Sequence, residues 1–294
     1  QMVGYELNPL SPKQIAKLLY EDLGLKQTKK TAKGSASTDA ETLAEYASIY
    51  PVVKLILDYR TYAKILQTYI VGLLETVNEA NVVCTTYNQT QTATGRLSSF
   101  NPNLQNIPSH SEIGSKIKNA FIARPGFNFL SLDYSQIELR VLAEISQDQN
   151  MIKDFSLNKD IHSSTAMRIF QNQNIDKEQR HKAKAINFGL IYGMSAFGLA
   201  KSLSVDLKTA DQYIKTYFDA YPSVLPFQEK QINDTKEKGF SETLFGRRRY
   251  LDVNSLYFRR NPKLFERMAI NSPIQGTAAD ILKITMLKIN DFLL

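Results

Sequence analysis

The sequence predicts an α+β fold, mostly helical with a small antiparallel sheet. Three observations carry that reading. Long stretches repeat apolar residues at helical spacing. Residues 82–130 switch to short extended segments and turns rich in Thr, Asn, Ser and Pro. "SETLFGRRRYLDV" reads as a hairpin turning at Gly246. Helices and short strands in separate runs point to segregated layers rather than alternating βαβ units. With 294 residues, 43% of them hydrophobic, the chain can bury a large core and divide into two or three subdomains.

The elements follow in order. "SPKQIAKLLYEDLGL" (11–25) reads as a short helix with Ser11 as N-cap, Pro12 at its first position and Gly24 near its end. A basic Gly/Ser/Thr-rich stretch follows, expected to be mobile. It carries Lys29, Lys30 and Lys33, read either as a solvated loop or as phosphate contacts. Residues 52–77 form a long amphipathic helix with Ile56, Tyr59, Ile65, Leu66, Tyr69, Ile70 and Leu73 on its apolar face. "FNFLSLD" (127–133) reads as a strand, and helices return over 135–146, 160–171 and 180–203. Tyr213, Tyr217, Phe218 and Tyr221 share a face of the next helix, which stops at Pro222. The final helix is expected to break near Pro273. No tandem repeat occurs.

Thirty-six Lys and Arg against 29 Asp and Glu give a formal charge of +7, which favours a polyanionic partner. A single cysteine, Cys84, excludes an internal disulfide. No apolar run approaches the length that spans a bilayer, so no membrane partner is expected.

Two patterns suggest chemistry. Asp133 ends the expected strand, where its carboxylate and the Tyr134 carbonyl offer hard oxygens to Mg²⁺, although Asp before a helix is also an ordinary cap. Ser135-Gln136-Ile137-Glu138 has the capping-box pattern, which on local grounds is the preferred reading of Glu138. In "RHKAKAINFGLIYG" (180–193), Arg180, Lys184, Phe188 and Tyr192 lie four apart. Each step advances about 40° around a helix, so the four form one slowly turning stripe. Two cations followed by two aromatics match the polarity of a nucleoside triphosphate. An amphipathic helix with buried aromatics explains the aromatics equally well. It does not explain Gly189 and Gly193, each costing roughly 1 kcal/mol in a helix, which suggest close approach by a flat group or a backbone, or tight packing.

Asp133 to Arg140 ("DYSQIELR") and then Arg180-x3-Lys184-x3-Phe188-Gly-x2-Tyr192-Gly resemble motifs A and B of family A DNA polymerases of the bacterial type. "TATGRLSS", "NPNLQNIP", "KDIH", "YPSV", "ETLFGRRRYL" and "AINSPIQGTAADI" resemble the same family in the expected order, so the likeness runs over nearly the whole chain. It implies a right-hand polymerase fold: residues 1–83 as lead-in and thumb, 84–145 as palm, 146–264 as fingers and 265–294 returning toward the palm. It implies template-directed DNA synthesis on a primer–template with dNTPs and two Mg²⁺ ions, about 3.5–4 Å apart. Cytoplasmic, nucleoid-associated use or a DNA-containing organelle would be the setting, with duties in replication and repair.

The resemblance also implies roles. Asp133 and the Tyr134 carbonyl would hold metal. Arg180, Lys184 and His162 would bind the triphosphate, with Lys184 also able to protonate the leaving group. Phe188 would lie against the sugar and base, and Tyr192 would occupy the template slot. Ser135, Gln136 and Ile137 would line the nucleotide with them, and Glu138 would exclude a ribose 2′-hydroxyl. Arg96, Asn103, Gln105, Arg267, Asn271 and Gln275 would contact DNA, where minor-groove acceptors allow pair geometry to be tested without reading sequence. The family's second catalytic carboxylate belongs to a later His-Asp-Glu motif. Here His110, His162 and His181 precede Ser, Ser and Lys, and Asp-Glu does not occur. The expectation is a chain that stops before that motif and depends on a complementary C-terminal fragment for turnover. Two other readings are a single-subunit RNA polymerase and a non-catalytic primer–template binder.

Overall fold

The computed structural model describes residues 3–31, 34–108 and 112–293. Its contacts gather into two units. One runs to Tyr87 and resumes over Ser99–Phe129; the other comprises Asn88–Ser98 and everything from Leu130.

In the first unit, α1 (Pro12–Lys17) starts where Ser11 Oγ accepts the Gln14 N–H at 3.4 Å, with Pro12 at the first position, as the sequence predicts. It widens into a π-helical turn over Leu18–Asp22. Asp39 caps α2 (Ala40–Ala47), and Pro51 opens α3 (Pro51–Lys64), which passes through a second π-helical stretch (Ile65–Val71) into α4 (Gly72–Leu74). Ile15, Leu18, Leu19, Leu43, Val53 and Ile56 form this unit's core. The long helix is therefore present, but its predicted apolar face is only partly used. Tyr59, Leu66 and Ile70 remain 50%, 52% and 41% exposed. The π turns break the 3.6-residue period on which that face depends. Lys29 is held by Asp39 at 2.6 Å and Glu41 at 2.8 Å, so acidic side chains take it rather than solvent alone; Lys33 lies outside the described residues. Strands β1 (Thr86–Asn88) and β2 (Ser98–Phe100) pair, and α5 (Glu112–Asn119), absent from the sequence reading, follows.

The second unit is helical around one large core. Its elements are α6 (Ile137–Ser146), α7 (Gln149–Ser156), α8 (Ile161–Phe170), α9 (Lys177–Ile191), α10 (Ala196–Leu203), α11 (Leu207–Ala220), α12 (Val224–Lys238), the hairpin β3 (Phe240–Glu242) and β4 (Arg248–Tyr250), α13 (Leu256–Arg260) and α14 (Pro262–Leu293). Asp148, Asp160, Asp176, Ser195 and Asp206 cap five of these helices, each accepting first-turn N–H groups. Leu139, Leu142, Met151, Ile186, Tyr217 and Tyr221 are all buried in the shared core. In the hairpin Phe240 pairs with Tyr250 and Glu242 with Arg248, and Gly246 turns the chain at φ +83°.

Three sequence expectations fail here. The single helix expected over 180–203 ends at Ile191 and resumes at Ala196, because Gly193 turns the chain at φ +66°. Residues 127–133 form no strand, and Phe127, Phe129, Leu130 and Leu132 are each more than 60% exposed. Extended backbone becomes a strand only by exchanging ladder hydrogen bonds, and these residues pair with no strand or bridge among the described residues. Pro273 does not break α14, which runs unbroken from Pro262 to Leu293. The Ala269 carbonyl that proline leaves without a donor takes the Ser241 hydroxyl of β3 instead.

Candidate active site

Helix α9 places Arg180, Lys184 and Phe188 along one side of a cleft. His162 of α8 and the turn from Asp133 to Glu138 line the rest, together with Arg96. The stripe read from four-residue spacing is therefore real as far as Phe188. Tyr192 is the C-cap, just beyond the helix, and its phenol donates to Glu138.

The Asp133 turn is held at several points. The Tyr134 hydroxyl is 2.5 Å from Thr285 Oγ1 of α14, and Arg140 Nε donates to the Ser135 carbonyl at 2.9 Å. Gln136 adopts the left-handed conformation at φ 52° and caps α6 without a side-chain bond. The predicted capping box is thus absent. The Glu138 carboxylate is instead an acceptor for two stronger donors, Arg96 Nη2 and the Tyr192 hydroxyl, and is 7% exposed. A charged donor outcompetes a backbone N–H for a carboxylate. Burial, followed by the Glu138 carboxylate, pushes the Tyr192 phenol well above its ordinary range.

His162 sits beneath the cationic end of the cleft, 3% exposed, its ring 5.7 Å from that of Phe188. Asn187 Nδ2 donates to His162 Nδ1 at 3.1 Å, which assigns the proton to Nε2. Burial pushes its pKa down to about 4; Asp160 works against that shift, while Arg180 and Lys184 add to it. The ring near pH 7 is a neutral donor, not a third cation. Asn187 also bonds Thr165, whose hydroxyl meets Tyr221 at 2.9 Å. These supports escaped the sequence reading, which treated Tyr221 only as one of an aromatic face.

Asp160 escaped it too. Within "KDIH" the resemblance assigned a role to His162 alone. The carboxylate caps α8 and grips Arg180 at two points, Nε–Oδ2 at 2.7 Å and Nη2–Oδ1 at 3.1 Å. Its only sequence signal was a cap-type residue before a helix.

Gly189 and Gly193 have local causes. A Cβ at Gly189 would stand 3.0 Å from Met194 Sδ, and Gly193 turns the chain out of α9 at φ +66° against Arg267. Packing, not a flat ligand, accounts for both. Arg267, Asn271 and Gln275 follow one another four apart on α14, and Gln275 lies beside the Tyr192 phenol. Asn271 Oδ1 is buried without a hydrogen-bond partner among the described residues. Asn103 and Gln105 belong to the first unit, where Asn103 Oδ1 accepts the Gln105 N–H at 3.0 Å.

Asp133 is exposed in the cleft and makes no hydrogen bond or ion pair among the described residues. No three His, Cys, Asp or Glu side chains among them could share a metal ion. One free carboxylate beside a carbonyl still suits Mg²⁺, which takes one or two carboxylates and completes its shell from water and substrate phosphates.

The family model for DNA polymerase family A matches residues 1–294. DNA polymerase I of Streptococcus pneumoniae strain R6 is 49% identical over 99% of the chain, which spans 34% of that protein. DNA polymerase I of Pseudomonas aeruginosa is 45% identical over 99% of the chain, which spans 32% of it. The thermostable DNA polymerase I of Thermus aquaticus is 42% identical over 98% of the chain, covering 35% of its own length. The chain thus spans about a third of these relatives. Among solved structures, the POL domain of Pol1 from M. smegmatis, in complex with DNA primer-template and dNTP, matches at TM-score 0.92 and 37% identity, over 99% of this chain and 52% of that one.

Proposed function

The chain belongs to DNA polymerase family A, and from that premise we propose that it serves template-directed DNA synthesis, adding dNTPs to a primer 3′-hydroxyl in replication and repair. One observation carries the proposal. Arg180, Lys184, neutral His162 and Phe188 meet Asp133 and Glu138 in a single cleft, with the cations and the aromatic ring on one helix. A triphosphate fits the cationic end, and a sugar and base fit the aromatic end.

Arg180 and Lys184 would bind phosphate oxygens, and His162 would donate its Nε2 proton to another. Lys184 would also protonate the departing pyrophosphate. Phe188 would support the sugar and base. Glu138, fixed by Arg96 and Tyr192, would form a wall against a ribose 2′-hydroxyl. Arg96, half-exposed, keeps donors for the minor groove, with Arg267, Asn271 and Gln275 as further DNA contacts on α14. Asn103 and Gln105 are assigned to DNA by resemblance alone. Asp133 and the Tyr134 carbonyl would hold Mg²⁺, which supplies charge neutralisation at the phosphates and acidifies the attacking hydroxyl. Thumb, palm and fingers would divide as the resemblance implies. No helix among the described residues is long and apolar enough to cross a membrane.

A second reading rests on how few acidic groups could hold metal. Binding of primer–template and dNTP without turnover, until a complementary segment brings a further metal-holding carboxylate, agrees with the absence, among the described residues, of any group of three or more His, Cys, Asp or Glu that could hold a metal ion. Primer extension with labelled primer–template, dNTPs and Mg²⁺, beside Asp133→Ala, separates the two. Extension lost in the variant supports synthesis by this chain. Binding without extension supports the dependent form. Absence of both DNA and dNTP binding would overturn the proposal.

A further inference from the structure

The carboxylate of Asp160 does two jobs at once. Its Oδ2 accepts the Ser163 N–H at 3.1 Å and the Ser163 hydroxyl at 2.6 Å, which fixes it at the head of α8. From that fixed point it takes the Nε and Nη2 edge of Arg180, and Gln136 Nε2 reaches its Oδ1 at 3.3 Å. Gln136 belongs to the turn that carries Asp133, and Arg180 to the helix that carries Lys184. Asp160 therefore joins the two walls of the cleft.

Two roles are compatible with an anion on this arginine, and they predict opposite signs. A carboxylate standing between the guanidinium and the cleft would compete with an incoming phosphate. One standing behind it would hold the fork in place and leave the other edge free. Arg180 lines the cleft and Asp160 does not. The pair consumes Nε–H and one Nη2–H, leaving three of the five donors. An exposed arginine on a helix surface otherwise spreads over many rotamers, and fixing it in advance removes that loss from the binding step.

The geometry points to Asp160 as a positioning residue that pre-sets Arg180 for the outer phosphates of a nucleoside triphosphate and ties that setting to the Asp133 turn through Gln136. The inference rests on the reading of Arg180 as a phosphate ligand. It also assigns Asp160 a selective effect: a nucleoside monophosphate, too short to reach a pre-set Arg180, gains nothing from it.

The test is a double-mutant cycle with Asp160→Asn, Arg180→Ala and the pair, using the full chain on primer–template in Mg²⁺ buffer and titrating dATP and dAMP. Asparagine keeps the cap, so α8 persists, which thermal melting verifies. The expected result is a loss of dATP affinity of about fivefold in Asp160→Asn, equivalent to about 1 kcal/mol. dAMP affinity stays unchanged, and Asp160→Asn adds no loss in the Arg180→Ala background. Unchanged or tighter dATP binding in Asp160→Asn, while Arg180→Ala weakens it, overturns the role of Asp160 alone. So does an equal loss in both backgrounds, which would indicate a general structural effect. If Arg180→Ala binds dATP as the unaltered chain does, the phosphate assignment of Arg180 fails and the inference falls with it.

Discussion

The Ser241 hydroxyl donates to the carbonyl of Ala269 at 3.2 Å, and that carbonyl is the one Pro273 leaves without a helical partner. Both residues are at most 1% exposed. A buried carbonyl without a donor costs about 1–3 kcal/mol, so Ser241→Ala should destabilise the second unit by that amount. In a Pro273→Ala background the helix regains its own N–H, and the same change should cost about 0.5 kcal/mol or less. Urea unfolding of the four proteins measures both. Equal losses in the two backgrounds would show that the hydroxyl acts elsewhere.

Gly276 lets the same helix approach the hairpin. A Cβ there would lie 2.5 Å from Thr243 Cγ2. Thr243 cannot swing aside: its hydroxyl donates to Asp280 at 2.9 Å and accepts the Phe245 and Arg247 N–H groups. Alanine would add about 1 kcal/mol of helix propensity but force an overpacking cost of about 1–3 kcal/mol. The clash wins on those magnitudes. Gly276→Ala should therefore lower stability by up to about 2 kcal/mol, read as a lower denaturant midpoint at unchanged m-value. A raised midpoint would mean the hairpin yields freely.

How much of this was legible in the sequence depends on how far each partner lies along the chain. Arg180, Lys184 and Phe188 were readable because a helix brings residues four apart onto one face. Glu138 was misread because its capping pattern is local, whereas Arg96 and Tyr192 stand 42 and 54 residues away. Asp160 was hidden for the converse reason: it does cap a helix, and nothing local marks its second bond. Helix α12 went unassigned because only Val224, Phe227, Gln228 and Thr235 are buried on it, too few apolar side chains to show a period. Pro273 looked like a break because the hydroxyl that compensates for it comes from another element.

Glu138 offers a specific test of nucleotide selection. Its carboxylate is buried and fixed by two donors, so truncation opens space rather than letting a neighbour fill it. Glu138→Ala should raise binding of rATP relative to dATP by at least about tenfold, the scale of relieving one steric contact in a pocket. Tyr192→Phe removes one of the two donors while keeping the wall, and should change that ratio much less. Equilibrium titration with both nucleotides decides it. An unaltered ratio in Glu138→Ala would place the 2′-hydroxyl elsewhere.

His162 should make stability fall as pH drops, with a sign set by burial. The unfolded side chain takes a proton near 6.5, whereas in the folded protein burial delays this to about 4. Between those values the unfolded state binds more protons, so stability rises with pH through the window and is complete above it. Asp160 acts in a lower window. Burial alone would raise its pKa, but Arg180 and Ser163 pull it down from 3.8 to about 2, and its contribution is lost only as pH falls through that range. The two effects are therefore separable. His162→Gln removes the titrating ring, so its melting temperature should depend less on pH between 6.5 and 4.5. Even about 1 kcal/mol would show as a difference of about 2–4 °C accumulating across that interval. Parallel curves for the two proteins would mean that the folded ring protonates near its ordinary value. It would then enter the cleft as a cation at mildly acidic pH, and phosphate binding there should strengthen as pH falls.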